Sequence, residues 1–222
     1  MSLRVVLYAE GSGETAGSVT MLPAPGATLT PEMLGPGHLL IGRAIERVWN
    51  LPLEAVRFES PLRTARGTVA HGSDLHERTS LRRLLTWARP RLRPELVVVL
   101  VDEDGDRSRK SRLVGHTEDL PCTRVIAVAV REFEAWLLAD EAALREVLGC
   151  EVATVATPED LSRGEAKQLF NELCDVVAVD GNRKAHHHAC RHSVSRTADL
   201  DALARRCRSF ALFLEELRAV RR

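Results

Sequence analysis

Two short apolar runs end in carboxylates. The first closes as Ala9-Glu10-Gly11 with Glu14 four residues further on, and the second as Val101-Asp102-Glu103-Asp104-Gly105-Asp106. In an open α/β sheet the carboxyl ends of parallel strands share one edge, and ligands bind there. If the two strands are neighbours, Glu10 and Asp102 enter one crevice, and Asp104 projects from the adjoining loop. Three or more carboxylates converging at such an edge repel one another at neutral pH, and a hard divalent cation relieves the repulsion. Carboxylate and water ligands at a partly open position suit Mg²⁺ or Mn²⁺. An ion of that kind orients phosphate oxygens and delivers hydroxide. The competing reading is a solvated acidic loop after an ordinary strand.

Two related motifs are excluded. A calcium loop needs Gly at its sixth position and Glu at its twelfth, whereas Gly105 is fourth and Leu113 twelfth counted from Asp102. A phosphate-cradling loop at Gly11-Ser12-Gly13 fails because no Gly-Lys-Ser/Thr follows.

Other polar residues read in two ways. Glu132 and Glu134 open a helix after a third apolar run, where carboxylates suit the positive end of the helix dipole; alternatively, Glu134 reaches the same sheet edge as an outer metal ligand. Asp106 adds a further acid to that edge. Arg63 and Arg66, flanked by Pro61 and Gly67, either clamp phosphate or form a solvated basic loop. Arg107, Arg109, Lys110 and Arg112 either balance the acids before them or touch a nucleic-acid backbone. Asp140 reads as a surface or capping residue. His186, His187, His188, Cys190 and His192 lack the second ligand pair of a structural zinc site and are not read as one.

The elements that must position these groups alternate. Leu3 to Ala9, Leu96 to Val101 and Arg124 to Val130 are nearly continuous apolar runs, as expected of strands buried on both faces of a parallel sheet, and Val56 to Phe58 is a fourth candidate. Helical spacing runs from His38 to Trp49, from Asp74 to Ala88 with Pro90 as a stop, and from Glu132 to Leu148 with Gly149 as a stop. The alternation predicts an α/β fold with a mainly parallel sheet flanked by helices. Gly11 to Gly37, rich in Gly, Pro, Ser and Thr, is longer than a normal strand-to-helix loop and reads as a mobile insertion or a lid. Beyond Gly149 the pattern is helical over Pro158 to Cys174, turns at Asp180 to Arg183, and is helical again from Thr197 to Val220. The expected organisation is an α/β domain over residues 1–150, with a helical C-terminal extension over 151–222 packed on it.

With 222 residues, 45% of them hydrophobic and 28% charged, the chain is large enough for one domain with a real core. Lys and Arg number 31 against 31 Asp and Glu, which argues against a protein built solely to coat nucleic acid. Arg183 to Arg222 is nonetheless basic and reads as either a phosphate-attracting tail or a solvated helical face. The five cysteines form no CxxC pair, so a disulfide framework is not expected and a reducing cytoplasm is the default location. No run of about 18 apolar residues suggests a membrane span, and Met1 to Ala9 reads as a first strand rather than a signal peptide.

Leu7-Tyr8-Ala9-Glu10-Gly11 closing one strand, and Val101-Asp102-Glu103-Asp104 closing a later one, resemble a Toprim domain, which carries a Glu-Gly after its first strand and an Asp-x-Asp after a later one. The chain is more closely similar to the bacterial DUF4276 group of Toprim-like proteins. That likeness lies in Glu10-Gly11, Arg63, Arg66-Gly67, Asp102-Glu103-Asp104, Glu134-Ala135-Trp136-Leu137-Leu138-Ala139-Asp140 and Cys207-Arg208-Ser209-Phe210. The resemblance implies a Toprim-like sheet whose carboxylates hold one or two Mg²⁺ ions for phosphodiester chemistry. Glu10 matches the Toprim glutamate, Asp102 and Asp104 match the Asp-x-Asp ligands, and Glu14 resembles an acid that OLD-type nucleases add.

The expected function is therefore a Mg²⁺-dependent nuclease acting on DNA or RNA. Glu10, Asp102 and Asp104 would hold one metal, Glu14 with Glu134 or Asp106 would support a second, and Arg63 or Arg66 would neutralise transition-state charge. OLD-type nucleases carry an ABC-class ATPase in the same chain, and no ATPase motif is present here. The alternative is thus a subunit, weakly active or inactive alone, that works with a separate ABC-class ATPase in phage defence. A small-molecule phosphohydrolase is a third possibility. Oligomeric state is not readable from the sequence.

Overall fold

Four strands form one sheet, and each apolar run becomes one of them. β1 spans Leu3–Ala9, β2 Val56–Glu59, β3 Leu96–Asp102 and β4 Arg124–Ala129, in the spatial order β2-β1-β3-β4. All three pairings are parallel, with Leu7 opposite Val98 and Val99 opposite Ile126. The computed structural model describes residues 2–19, 22–91, 93–178 and 181–221.

Alternate residues of each strand enter two cores, the period-2 consequence of the pleat. Val5, Leu7, Val98, Leu100, Val125 and Ala127 face one layer, while Val6, Tyr8, Val97, Val99, Ile126 and Val128 face the other. The second layer is covered by α3 (Ser73–His76), α4 (Arg78–Arg91) and α5 (Arg109–Thr117), which contribute Leu75, Leu81, Leu84, Leu85 and Leu113. The first, larger layer is covered by α2 (Pro36–Trp49), α6 (Phe133–Leu138), α7 (Glu141–Leu148), α8 (Glu165–Asp175), α9 (Arg183–Thr197), α10 (Leu200–Arg206) and α11 (Arg208–Ala219). Trp136 sits in this layer, edge-on to Phe210 at 5.1 Å between centroids and stacked on Phe213 at 6.1 Å. Its indole N–H donates to Ser209 Oγ at 2.7 Å. Residues from 151 onward thus share one core with the sheet. Among the described residues, no helix is long and apolar enough to cross a membrane.

Several expected helices are divided by identifiable caps. The Glu132–Leu148 pattern breaks into α6 and α7 because Asp140 Oδ1 accepts from the N–H groups of Ala142 at 3.0 Å and Ala143 at 3.2 Å, starting a new helix. Gly149, at φ 65°, ends α7 as its position suggests. The Asp74–Ala88 pattern divides where the Glu77 carboxylate accepts from Thr79 and Ser80 N–H at 2.9 and 2.6 Å, and α4 runs one residue beyond Pro90. The Thr197–Val220 pattern divides into α10 and α11 at an extended Cys207. The turn expected at Asp180 to Arg183 begins outside the described residues. Within it, the Asn182 side chain accepts from Ala185 N–H at 3.2 Å and caps α9.

The Gly11–Gly37 segment folds against the sheet. It contains α1 (Ser12–Thr15) and a 3₁₀ turn at Pro31–Met33. Leu29 N–H donates to Phe58 O at 2.8 Å, and Ser60 N–H donates to Ala27 O at 2.8 Å, laying residues 26–29 along the outer edge of β2. At the opposite edge, the Lys110 ammonium donates to the outward-facing carbonyl of Ile126 on β4.

Candidate active site

The chain leaves β1 toward β2 on one side and later returns to place β3 on the other. The switch point of the sheet therefore lies between the carboxyl ends of β1 and β3, where the crevice of an open parallel sheet forms. Glu10 and Asp102 are the residues at those two ends, and they meet. Glu10 N–H donates to Leu100 O at 2.9 Å, and Asp102 N–H donates to Glu10 Oε2 at 3.0 Å. On its other side, Glu10 Oε1 lies 2.9 Å from His76 Nε2 on α3. Gly72 N–H donates to Glu10 O at 2.8 Å and fixes the start of that short helix against the strand end. Arg109, at the start of α5, lies 3.5 Å from Glu10 Oε2 through Nη1 and donates to the Asp102 carbonyl.

Two further acids close on Asp102. α1 carries Glu14 one turn past Glu10, and the Glu14 carboxylate folds back over Gly11, where a Cβ would stand 2.2 Å from Oε2. Glu14 Oε2 is shut from solvent and has no hydrogen-bond partner. Glu134, only 3% exposed, comes from the first turn of α6 and is paired with Arg191 Nε of α9 at 2.7 Å. Arg191 in turn donates to Asn171 Oδ1 of α8 at 2.9 Å and lies over the Phe170 ring. Asp102 Oδ1 accepts from Phe133 N–H at 2.8 Å, so the start of α6 is bonded directly to the end of β3.

The electrostatics follow from this crowding. Burial, then the charges of Glu14, Glu134 and Glu10, push the Asp102 carboxyl well above the usual carboxylate range against the pull of Phe133 N–H. Burial, with Glu134 next, pushes Glu14 up to about 7, despite opposing help from Lys167 and Arg191. Glu10 goes the other way: burial alone would raise it, but His76, the Asp102 N–H and Arg109 together hold it below the ordinary value. Glu132, whose Oε2 accepts from Lys167 N–H at 2.9 Å, is raised by burial and by its acidic neighbours Glu134 and Asp104.

The structure thus brings Glu10, Glu14, Asp102 and Glu134 into one neighbourhood and distributes the remaining expected residues elsewhere. Asp104 takes a left-handed conformation at φ 58° and turns outward to Arg163, 2.8 Å away. Asp106 accepts from Ser108 N–H at 3.1 Å and pairs with Arg112 at 2.7 Å, within its own loop and the following helix. Arg63 donates to the carbonyls of Leu22 at 3.1 Å and Pro23 at 3.2 Å, pinning the segment before α2, and Arg66 stands exposed on the loop beyond it. Asp140 is a cap, as its position suggested. Arg109, one of the four basic residues that sequence left open between two roles, lies beside Glu10, and Arg191 pairs with Glu134. His76 and the Arg191–Asn171 pair carried no sequence signal.

Among the described residues, no group of three or more His, Cys, Asp or Glu side chains is placed so that it could hold a metal ion. The donor set nonetheless fits a hard divalent ion in kind. All four groups are carboxylates, burial and neighbouring acids raise the pKa of two of them, Glu14 and Asp102, and one buried oxygen, Glu14 Oε2, has no partner.

A parallel α/β sheet with an acidic crevice at its switch point defines the class of this domain. The chain belongs to the DUF4276 family, a domain of unknown function, which it matches over residues 56–218. That span contains Asp102, Glu134 and Arg191, while Glu10 and Glu14 precede it. No curated protein and no solved structure matches the chain.

Proposed function

We propose that the β1–β3 crevice is the centre of a Toprim-like, divalent-cation-dependent phosphodiesterase acting on nucleic acid. Glu10, Glu14, Asp102 and Glu134 would hold Mg²⁺ or Mn²⁺, with Asp104 at the rim. The observation that supports this most is the unpartnered, buried Glu14 Oε2 beside an Asp102 whose charge three other carboxylates oppose. A site with no cationic ligand has little reason to gather these groups, because buried like charges are destabilising. Bound there, the ion would supply a more acidic water and neutralise negative charge on the phosphoryl and leaving oxygens.

The chain's own groups have separable tasks. Phe133 N–H fixes one Asp102 oxygen and leaves the other free to face a ligand. His76 and the Asp102 N–H orient the Glu10 carboxylate. Arg109, anchored on the Asp102 carbonyl, supplies positive charge beside the acids where a phosphate oxygen approaches. Arg163, highly exposed at the rim against Asp104, is available to a phosphate backbone.

The test is an assay of supercoiled plasmid and single-stranded RNA over a titration of Mg²⁺ and Mn²⁺, with a chelator control. Wild type should cleave only with metal, and Asp102→Asn and Glu10→Gln should each lose at least about 100-fold, while Asp106→Asn should not. Undiminished cleavage in both crevice variants overturns the proposal.

A further inference from the structure

At the carboxyl edge of the sheet, acids and cations are matched with two exceptions. Arg109 lies 3.5 Å from Glu10, Arg131 3.6 Å from Glu103 and Arg163 2.8 Å from Asp104. Arg112 lies 2.7 Å from Asp106, and Arg191 2.7 Å from Glu134. Glu132 lies against Lys167, accepting its N–H at 2.9 Å and interacting with its charge. Among the described residues, Glu14 and Asp102 form no ion pair.

The two unmatched acids share the crevice, and each keeps an oxygen in hand. Glu14 folds back over Gly11, just past the end of β1. A Cβ at Gly37 would stand 3.3 Å from Glu14 Cβ and 3.5 Å from the side chain of Leu100, two residues before Asp102 on β3. Glu14 Oε2 is buried without a partner, and Asp102 gives only Oδ1 to Phe133 N–H. Both Glu10 oxygens, by contrast, are taken: Oε1 by His76 at 2.9 Å and Oε2 by the Asp102 N–H at 3.0 Å. Glu134 gives Oε1 to Arg191.

We propose that the crevice seats a single divalent ion per chain, bound directly by Glu14 and Asp102, with Glu10 and Glu134 reaching it through water; this rests on the metal-dependent function proposed above. Two unmatched carboxylates carry the charge of one divalent cation, and burial makes any excess of either sign costly. A second cation would have to displace Arg109 from Glu10 or Arg191 from Glu134. Two carboxylates also suffice for Mg²⁺, which keeps several waters and takes substrate phosphate oxygens in its other positions. Such a seat needs no third side chain, and none of the described His, Cys, Asp and Glu groups is placed to supply one.

The test is a titration of the full chain with Mn²⁺ alone at pH 8, in which the electron paramagnetic resonance signal of free Mn²⁺ counts the ions bound. Wild type should bind one per chain. Glu14→Gln and Asp102→Asn should each weaken binding by at least about 10-fold, whereas Asp104→Asn should change it by less than about 3-fold. Both crevice substitutions keep the size of the side chain, and urea unfolding checks that each variant is folded. Two ions per chain, or one ion whose affinity survives either crevice substitution, overturns the single seat while leaving metal-dependent cleavage standing. No Mn²⁺ bound at millimolar concentration overturns the seat as well. One ion lost in both variants, with no cleavage of plasmid or RNA, supports the seat and overturns the activity, so the two fail separately.

Discussion

The backbone N–H of Asp102 donates to the carboxylate of Glu10 at 3.0 Å, so the last residue of β3 is tied to the first residue beyond β1 by a side chain. Glu10 therefore closes the sheet edge as well as presenting an acid, and truncating it removes both. Asp102 is the cleaner residue to alter, because its structural bond, from Phe133 N–H to Oδ1, survives in an amide.

Asp102→Asn should be more stable than the wild type in the absence of divalent ions. Burial and the surrounding acids oppose the Asp102 charge, and the substitution removes it. We expect a gain of about 1–2 kcal/mol at pH 8 by urea unfolding. The same change should abolish any thermal stabilisation that Mg²⁺ gives the wild type, since binding to the folded state alone raises stability. A variant less stable than wild type at pH 8 would show that the charge is well accommodated.

Stability should also depend on pH in a defined direction. Glu14, ordinarily near 4.5, is pushed up to about 7 in the folded chain, so the native state holds its proton more tightly than the unfolded state. Its contribution is complete below pH 4.5 and is lost as pH rises to about 7, a fall of at most about 3 kcal/mol. His38 has the opposite sign. Buried, with Nδ1 accepting from Gly35 N–H, it is pushed down to about 3 from 6.5, so stability drops as pH falls through that interval and the unfolded chain takes up the proton. Urea midpoints across pH should therefore peak at mildly acidic pH, and Glu14→Gln should flatten only the alkaline limb.

Removing Arg191 should be costly because it leaves Glu134 buried without its partner. Arg191→Met is expected to lose about 3–5 kcal/mol, and Glu134→Gln in the same chain should restore most of it. Chemical denaturation of the two single variants and the double variant measures the coupling. Additive effects would show that the pair is not energetically linked.

Two glycines beside α1 should respond differently. A Cβ at Gly35 meets the backbone carbonyl oxygens of Ala16 and Glu14 at 2.6 Å, so Gly35→Ala should shift α1 and cost about 1–3 kcal/mol. A Cβ at Gly11 meets the end of the Glu14 side chain, which can swing away. Gly11→Ala should therefore change stability by less than about 1 kcal/mol while weakening Mg²⁺ binding by calorimetry. Equal stability losses would contradict this difference.

β1, β3 and β4 were legible in sequence because they are buried on nearly every residue and so read as apolar runs, and the acidic ends of β1 and β3 followed from the sheet rule; β2, with Arg57 exposed, was the weaker signal. The remainder was less visible for physical reasons. α9 begins Arg183-Lys184-Ala185-His186-His187-His188 and buries only Cys190, Val194 and Ser195, so it offers little apolar periodicity. α5 buries just Leu113 and Thr117. The outward turn of Asp104 depends on a positive φ that no local spacing announces. Arg191 lies 57 residues from Glu134, and only the packing of α9 against α6 brings them together.

The borders of the sheet carry a last consequence. A bare outer strand is a template on which other chains polymerise, and lysine or a covering loop blunts it. Here residues 26–29 occupy the flank of β2, and Lys110 caps a carbonyl of β4. A sheet whose strands β1, β3 and β4 are largely apolar is thereby shielded on both flanks from fibril-like growth. Deleting residues 22–30, or replacing Lys110 with a short apolar residue, would trade that protection for insolubility.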